Sequence, residues 1–149
     1  AIPSFFITHT YFWGDRHYAI FMGPERAVRM SPTGDALRCN LPFTLHNDTY
    51  VTPIDPLLLV WSAVNRLSYR GRDLGKAEQG IPVLEALKGI TINAARQGFE
   101  EGVKGSIEPG KFADFVVLDE NPLAVDPKHL KDIEIAATIV GDVLAYGAL

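Results

Sequence analysis

Three polar residues stand at the end of a short apolar stretch in the first third of the sequence, and two of them, a histidine and an aspartate, have side chains that can transfer protons or bind a metal. Residues 41–46 predict a strand, and His46, Asn47 and Asp48 stand at its end, ahead of a turn that contains two prolines. Because side chains alternate along a strand, we expect His46 and Asp48 on one side and a structural Asn47 on the other. The Asp48 carboxylate could accept a proton. It could equally cap the turn, and His46 could line a pocket or be a hydrogen-bonded interior histidine.

A second apolar stretch, residues 2–8, predicts a buried strand that ends at His9. Residues 9–17 follow and predict a loop dense in aromatic and charged side chains. Trp13 and its aromatic neighbours could form an apolar wall for a substrate side group, and ordinary loop packing is the alternative.

The sequence gives weaker indications of a functional role for four other polar residues. Arg16 and His17 could hold a substrate carboxylate, although exposed charge explains them as well. His129 stands among lysines and predicts a surface position. Asp114 lies in a later β segment, away from the strand ends, and we interpret it as structural.

Helices are predicted between and after the two strands, from proline and capping signals at their starts. The predicted helices run from Ser31-Pro32 to about Arg38, from Asp55-Pro56 to about Leu67, and from Pro82 to about Gly98. Residues 68–80 predict a polar surface loop. Strands that alternate with helices indicate parallel βα units in an α/β fold.

The predicted pattern of elements changes after Gly102, from strands that alternate with helices to a series of strands. Residues 112–119 predict a strand, and residues 133–140 and 143–146 predict a β-hairpin around Gly141-Asp142. We therefore expect two domains, with βα units in residues 1–100 and a small β module in residues 101–149.

Three stretches resemble the amidohydrolase superfamily. Residues 105–123, GSIEPGKFADFVVLDENPL, match the superfamily motif G-x-I-x-x-G-K-x-A-D-x-V-x-x-D, and residues 84–99 resemble the helix that precedes it. PSFFITHTYFWGDRH and TLHNDTYVTPIDPL resemble the branch related to N-substituted formamide deformylase. The resemblance covers almost the whole chain.

The resemblance implies an α/β fold, the C-terminal portion of a (β/α)8 TIM barrel with strands 7 and 8 and their helices, plus part of a small β-sandwich. It implies a hydrolase that acts on a non-peptide C–N bond of a small amide or formamide-like substrate. Asp48 would bind a divalent metal, zinc in the parent enzyme, and accept a proton from the activated water. His9, Trp13 and His46 would contact the substrate.

A whole barrel takes about 250 residues, so this chain of 149 residues cannot hold one. The histidines, at positions 9, 17, 46 and 129, include no His-x-His pair. We expect that the chain alone binds no catalytic metal and hydrolyses nothing. A start on a strand, without Met, suggests a fragment, whose partner would be the missing N-terminal barrel portion or a second copy. The alternative is a non-catalytic module that assembles through an exposed sheet edge.

Composition and charge bear on three further questions: nucleic-acid binding, membrane insertion and the compartment of the protein. A net charge of −4 and the absence of a basic run give no indication of nucleic-acid binding. No apolar run reaches the roughly 18 residues of a membrane span, and no signal peptide is recognisable. Cys39 is the single cysteine, which fits a reducing compartment, so we expect a cytoplasmic protein.

Overall fold

The computed structural model describes residues 1–148 and mixes helices with strands. In chain order its elements are β1 (Ser4–Phe6), α1 (Thr8–Arg16), a π-helix (His17–Phe21), α2 (Pro24–Ala27), α3 (Thr33–Arg38), β2 (Thr44–His46), α4 (Pro56–Asn65), α5 (Lys76–Gln79), α6 (Val83–Ile90), α7 (Ile92–Gln97), β3 (Phe115–Leu118), a 3₁₀ helix (Pro127–Asp132), β4 (Ile135–Val140) and β5 (Val143–Gly147). The mixed α/β class predicted from the sequence is confirmed.

Strands β1 and β2 are parallel neighbours, as predicted, although both are shorter than the apolar stretches suggested. Phe5 lies opposite Leu45, and Phe6 lies opposite His46. Leu45 is buried in the core and Phe5 packs against that core. Because side chains alternate, Phe6 and His46 are directed to the opposite face of the sheet.

Helix α4 forms the centre of the core. Its start is capped as predicted, since Asp55 Oδ1 accepts a hydrogen bond from Leu58 N at 2.9 Å and Pro56 occupies the first turn. Residues 57–65 are all buried. Trp61 Nε1 donates to Lys128 O at 2.8 Å, which fastens the 3₁₀ helix to α4.

The predicted loop at residues 9–17 is wrong, because this segment is α1 followed by the π-helix. The cause is tertiary packing. A Cβ at Gly14 would stand 2.3 Å from Leu74 Cδ1, so glycine allows α1 to approach Leu74 closely. Tyr11 also packs edge-on against Trp61 at 5.4 Å between ring centroids.

Two other predicted elements are also corrected. The single helix from Pro82 to Gly98 is divided at Thr91, whose φ of −125° and ψ of −100° are not helical. Asn93, just after this break, donates to Phe43 O at 3.1 Å and so ties α7 to the chain before β2. The polar loop at residues 68–80 contains α5, and Leu74 and Gln79 within it are buried.

Strands β3, β4 and β5 form a separate antiparallel sheet in that order. The predicted hairpin is confirmed, because β4 and β5 pair with Val140 opposite Val143. Asp114 Oδ1 accepts from Gly141 N at 2.8 Å, which supports the structural role expected for it. Among residues 1–148, no helix is both long and apolar enough to cross a membrane.

Candidate active site

Three of the four predicted site residues meet at the carboxyl end of the parallel strands. The Phe6 ring stacks on the His9 ring at 5.5 Å and on the His46 ring at 5.6 Å between centroids. Trp13, one turn after His9 on α1, lies 6.3 Å from Phe6. Phe6 is therefore the apolar centre of a cluster formed by His9, Trp13 and His46, which we call the strand-end cluster.

Both ring nitrogens of His9 have partners. Nδ1 lies 3.2 Å from His17 Nε2, and Nε2 lies 3.0 Å from Ser31 Oγ. Burial, with smaller contributions from His17 and Arg66, lowers the pKa of His9 from 6.5 to about 4. His9 is thus neutral at physiological pH, and a substrate that bonded to its ring would have to replace one of these partners.

Arg66 is fully buried and binds backbone carbonyl groups next to this cluster. Its guanidinium donates to Met30 O at 2.7 Å, to Ser31 O at 3.2 Å and to Leu74 O at 3.0 Å. Burial lowers the pKa of Arg66 to about 10, so it remains charged at neutral pH. Arg66 thereby fixes the segment that presents Ser31 to His9.

Sequence reasoning missed Arg66 and misassigned Ser31. An arginine at the start of a polar stretch carries no signal of burial, since arginine is usually exposed. Ser31 was predicted to cap α3, but Pro32 is the N-cap residue and no side chain caps that helix. The Ser31 hydroxyl pairs with His9 instead.

Asp48 is exposed and lies two residues beyond the end of β2. Its φ is 52°, so the alternation of strand side chains does not extend to it. The turn is closed by the backbone, because Val51 N donates to Asp48 O at 2.6 Å. Across residues 1–148 no donor pairs with the Asp48 carboxylate, which leaves it available.

The loop that carries Asp48 is anchored to α1. Thr52 Oγ1 donates to Asn47 O and lies 3.1 Å from Thr8 Oγ1. Asn47 is buried, and its Oδ1 has no hydrogen-bond partner in the described part of the chain. These contacts join the two strand ends, so Asp48 belongs to the same edge of the sheet as the strand-end cluster.

The described residues do not by themselves fit a catalytic metal. Residues 1–148 contain no group of three His, Cys, Asp or Glu side chains placed to hold one ion. A catalytic zinc site needs about three protein ligands, and Asp48 supplies one free carboxylate. Any metal at this edge therefore requires ligands from outside the described residues.

Parallel strands joined through helices, with imidazoles and a carboxylate at their carboxyl ends, are typical of the class of α/β proteins that carry their sites at this edge. Comparison with protein families agrees with that class. The model of the Amidohydrolase family matches residues 1–146. The chain belongs to the amidohydrolase family.

Comparison with individual curated proteins agrees with this family membership. The chain is 37% identical over 103 residues to "Putative amidohydrolase YtcJ" of Bacillus subtilis strain 168, covering 67% of this chain and 19% of that protein. It is 29% identical over 122 residues to the N-substituted formamide deformylase of Arthrobacter pascens, covering 82% of this chain and 22% of the relative. The chain thus spans about a fifth of the length of these curated relatives.

Among solved structures, the chain resembles an uncharacterized metal-dependent hydrolase from Pyrococcus horikoshii OT3. The TM-score is 0.70 at 24% identity, and the match covers 87% of this chain and 26% of that chain. At this identity the likeness concerns the fold alone.

Proposed function

We propose that this chain is the C-terminal part of a metal-dependent amidohydrolase that hydrolyses a non-peptide C–N bond of a small amide or formamide-like substrate. The observation that carries the proposal is the free carboxylate of Asp48 at the same sheet edge as His9 and His46. Family membership supports the reaction class. The formamide deformylase among the relatives supports the substrate class.

In this proposal β1 and β2 are strands 7 and 8 of a (β/α)8 barrel, and residues 101–149 are part of a β-sandwich. The parallel pairing of β1 with β2 and the antiparallel β3–β4–β5 sheet support it. The rest of the barrel comes from polypeptide outside this chain. The free, exposed Cys39 supports a cytoplasmic location.

In the proposed hydrolysis, the metal and each residue of the site have a separate role. In the full-length protein, a divalent metal, zinc in this proposal, would be held by Asp48 together with ligands from outside the described residues, and it would lower the pKa of a water molecule towards neutrality. The Asp48 carboxylate would accept a proton from that water and pass it to the leaving nitrogen. His46 and Trp13 line the substrate side, and neutral His9 orients the cluster through His17 and Ser31.

The proposal is tested by Asp48→Asn in the full-length polypeptide. Asparagine keeps the size of the side chain but cannot accept a proton, so kcat should fall at least about 100-fold. Asp132→Asn is the matched control, because Asp132 is exposed and, within residues 1–148, its carboxylate pairs with Lys131 alone. Near-normal turnover in Asp48→Asn, with Asp132→Asn unchanged, would reject the role of Asp48.

The 149-residue chain alone is proposed to be inactive, since residues 1–148 contain no group of ligands placed to hold one ion. Purified chain incubated with Zn²⁺ should hydrolyse no N-substituted formamide and retain no stoichiometric metal after gel filtration. Metal analysis and an assay of released amine measure both properties. Turnover by the isolated chain would contradict this part of the proposal.

A non-catalytic assembly module is the second candidate, and the exposed edge strand β5 favours it. All five of its residues are exposed, and unpaired edges template further strand pairing. The coding sequence upstream of residue 1 separates the two candidates. A segment with a His-x-His pair supports the enzyme, and a start codon directly before residue 1 supports the module.

A further inference from the structure

A groove beside the strand-end cluster is lined by residues of α1, the π-helix and residues 69–73. Its volume is about 1060 Å³. One wall is formed by the end of α1 and the π-helix, and the other by the loop at residues 69–73. The π-helical turn is closed by a hydrogen bond from Met22 N to His17 O at 2.9 Å, and π-helical turns often occur at functional sites.

Both walls are held in place by contacts within the chain. Tyr69 N donates to Tyr11 O at 2.8 Å, and the two rings pack edge-on at 5.7 Å. The guanidinium of Arg72 lies 4.3 Å above the Tyr18 ring and pairs with Asp15 at 2.9 Å, which bridges the walls. The groove therefore exists before any ligand enters it.

Arginines outnumber carboxylates along the groove. Its lining contains Arg16, Arg70 and Arg72 against Asp15 and Asp73, a net charge of +1. Arg16 and Arg70 are exposed, and within residues 1–148 neither guanidinium has a carboxylate at salt-bridge distance. Asp15 pairs with Arg72, and Asp73 keeps its charge while its Oδ1 accepts from two backbone N–H groups. An anionic group in the groove would meet a net positive field although the whole chain has a charge of −4.

Aromatic rings supply the remaining contact surface. Phe12, Trp13, Tyr18 and Tyr69 line the groove. The side chain of Tyr69 is 73% exposed, so its ring is available to a ligand. Trp13 also packs against Phe6, so one side chain belongs to both the groove and the strand-end cluster.

From these observations we infer that the groove is a binding site for a small aromatic carboxylate, with the ring against the exposed Tyr69 and the carboxylate at Arg16 and Arg70. Arginine matches this ligand because its planar guanidinium can donate two parallel hydrogen bonds to a carboxylate. As the side group of an amide substrate, such a ligand would reach the strand-end cluster past Trp13. That last step rests on the proposed function.

Benzoate is the probe that tests the groove. Titration of the 149-residue chain should shift the indole N–H signal of Trp13 in a saturable way in heteronuclear NMR. Trp61 is the internal reference, because it is buried and its N–H is bound to Lys128 O. Benzyl alcohol and acetate, which keep only the ring or only the charge, should bind at least tenfold more weakly.

The double variant Arg16→Gln/Arg70→Gln should weaken benzoate binding at least tenfold. Arg96→Gln is the matched control, because Arg96 is exposed on α7 and outside the groove. Equal binding of benzoate and benzyl alcohol, or an unaltered affinity in the double variant, would overturn the inference.

Calorimetric titration of the full-length polypeptide with benzoate repeats the test in the complete protein, with the same expected and contrary outcomes. Neither measurement involves turnover. A failure of the proposed hydrolysis and a failure of the groove are therefore seen in different experiments.

Discussion

His9 stays uncharged at neutral pH because its surroundings oppose a second proton. Burial is the largest cause of its lowered pKa, followed by the charges of His17 and Arg66. In the unfolded chain the imidazole would have its ordinary pKa of about 6.5. Between about pH 6.5 and pH 4 the unfolded state therefore binds a proton that the folded state does not.

This difference predicts that the chain loses stability as the pH falls from about 6.5 towards 4, the pKa of His9 in the folded state. The unfolded state binds more protons in this window, so the free energy of unfolding rises with pH. After allowance for partial exposure, the change attributable to His9 should be about 2 kcal/mol. Urea denaturation at several pH values measures it.

His9→Gln should flatten that profile, because glutamine keeps hydrogen-bonding groups but does not titrate. Burial also lowers the pKa of His17, which adds a smaller slope of the same sign. The carboxylates with lowered pKa, such as Asp35, lose their contribution only in the more acidic range. An unchanged slope in His9→Gln would contradict the assignment.

His9 and His46 were found because a polar residue at the end of an apolar strand is visible in the sequence, and Trp13 was found because it lies in an aromatic segment. Phe6, the ring that these three side chains share, was not singled out. Their partners were not predictable in the same way. Ser31 is 22 positions from His9, and Arg66 reaches the carbonyl of Ser31 across 35 positions. Such contacts depend on how the helices pack, which the local pattern does not contain.

At the scale of elements, strand pairing and the Asp55 cap of α4 were predictable, whereas the cap expected at Ser31 and the conformation of residues 9–17 were predicted wrongly. The cap at Asp55 and the turn at Gly141-Asp142 are local features and were found correctly. Gly14 looked like a loop residue, yet it serves the close approach of α1 to Leu74. A glycine selected for packing cannot be told from a turn glycine by sequence alone.

The close contact between helix α3 and residues 78–79 can be tested by mutation. A Cβ at Gly34 would lie 2.1 Å from the backbone oxygen of Glu78. Thr33 Oγ1 also donates to Gln79 O at 2.7 Å, so the two segments cannot easily separate. Gly34→Ala should therefore destabilise the chain by about 1 to 3 kcal/mol, although alanine favours helix.

Gly102→Ala is the control for that variant, because no atom lies within 4 Å of a Cβ built at Gly102. Its effect on the free energy of unfolding should stay within about 0.5 kcal/mol. Chemical denaturation compares the two variants. Similar midpoints for both would show that α3 and residues 78–79 can move apart without cost.

At the scale of the whole molecule, the parallel sheet leaves apolar surface without a cover. It has two strands in the part of the chain that the structure describes. Parallel sheets in globular proteins are normally covered on both faces. Here Leu45 faces the core, while Phe6 and His46 face away from it and stay half-buried. The Val143 and Tyr146 side chains of the second sheet are 67% and 62% exposed.

We therefore predict that the isolated chain associates with itself or with polypeptide that completes the barrel. Light scattering after size exclusion should give a mass above 16.4 kDa, the mass of one chain. Co-expression with the missing N-terminal part should replace self-association by a defined complex, because the same edges and faces would then be covered. A single monomeric species at 16.4 kDa that unfolds cooperatively would show that residues 1–149 need no partner.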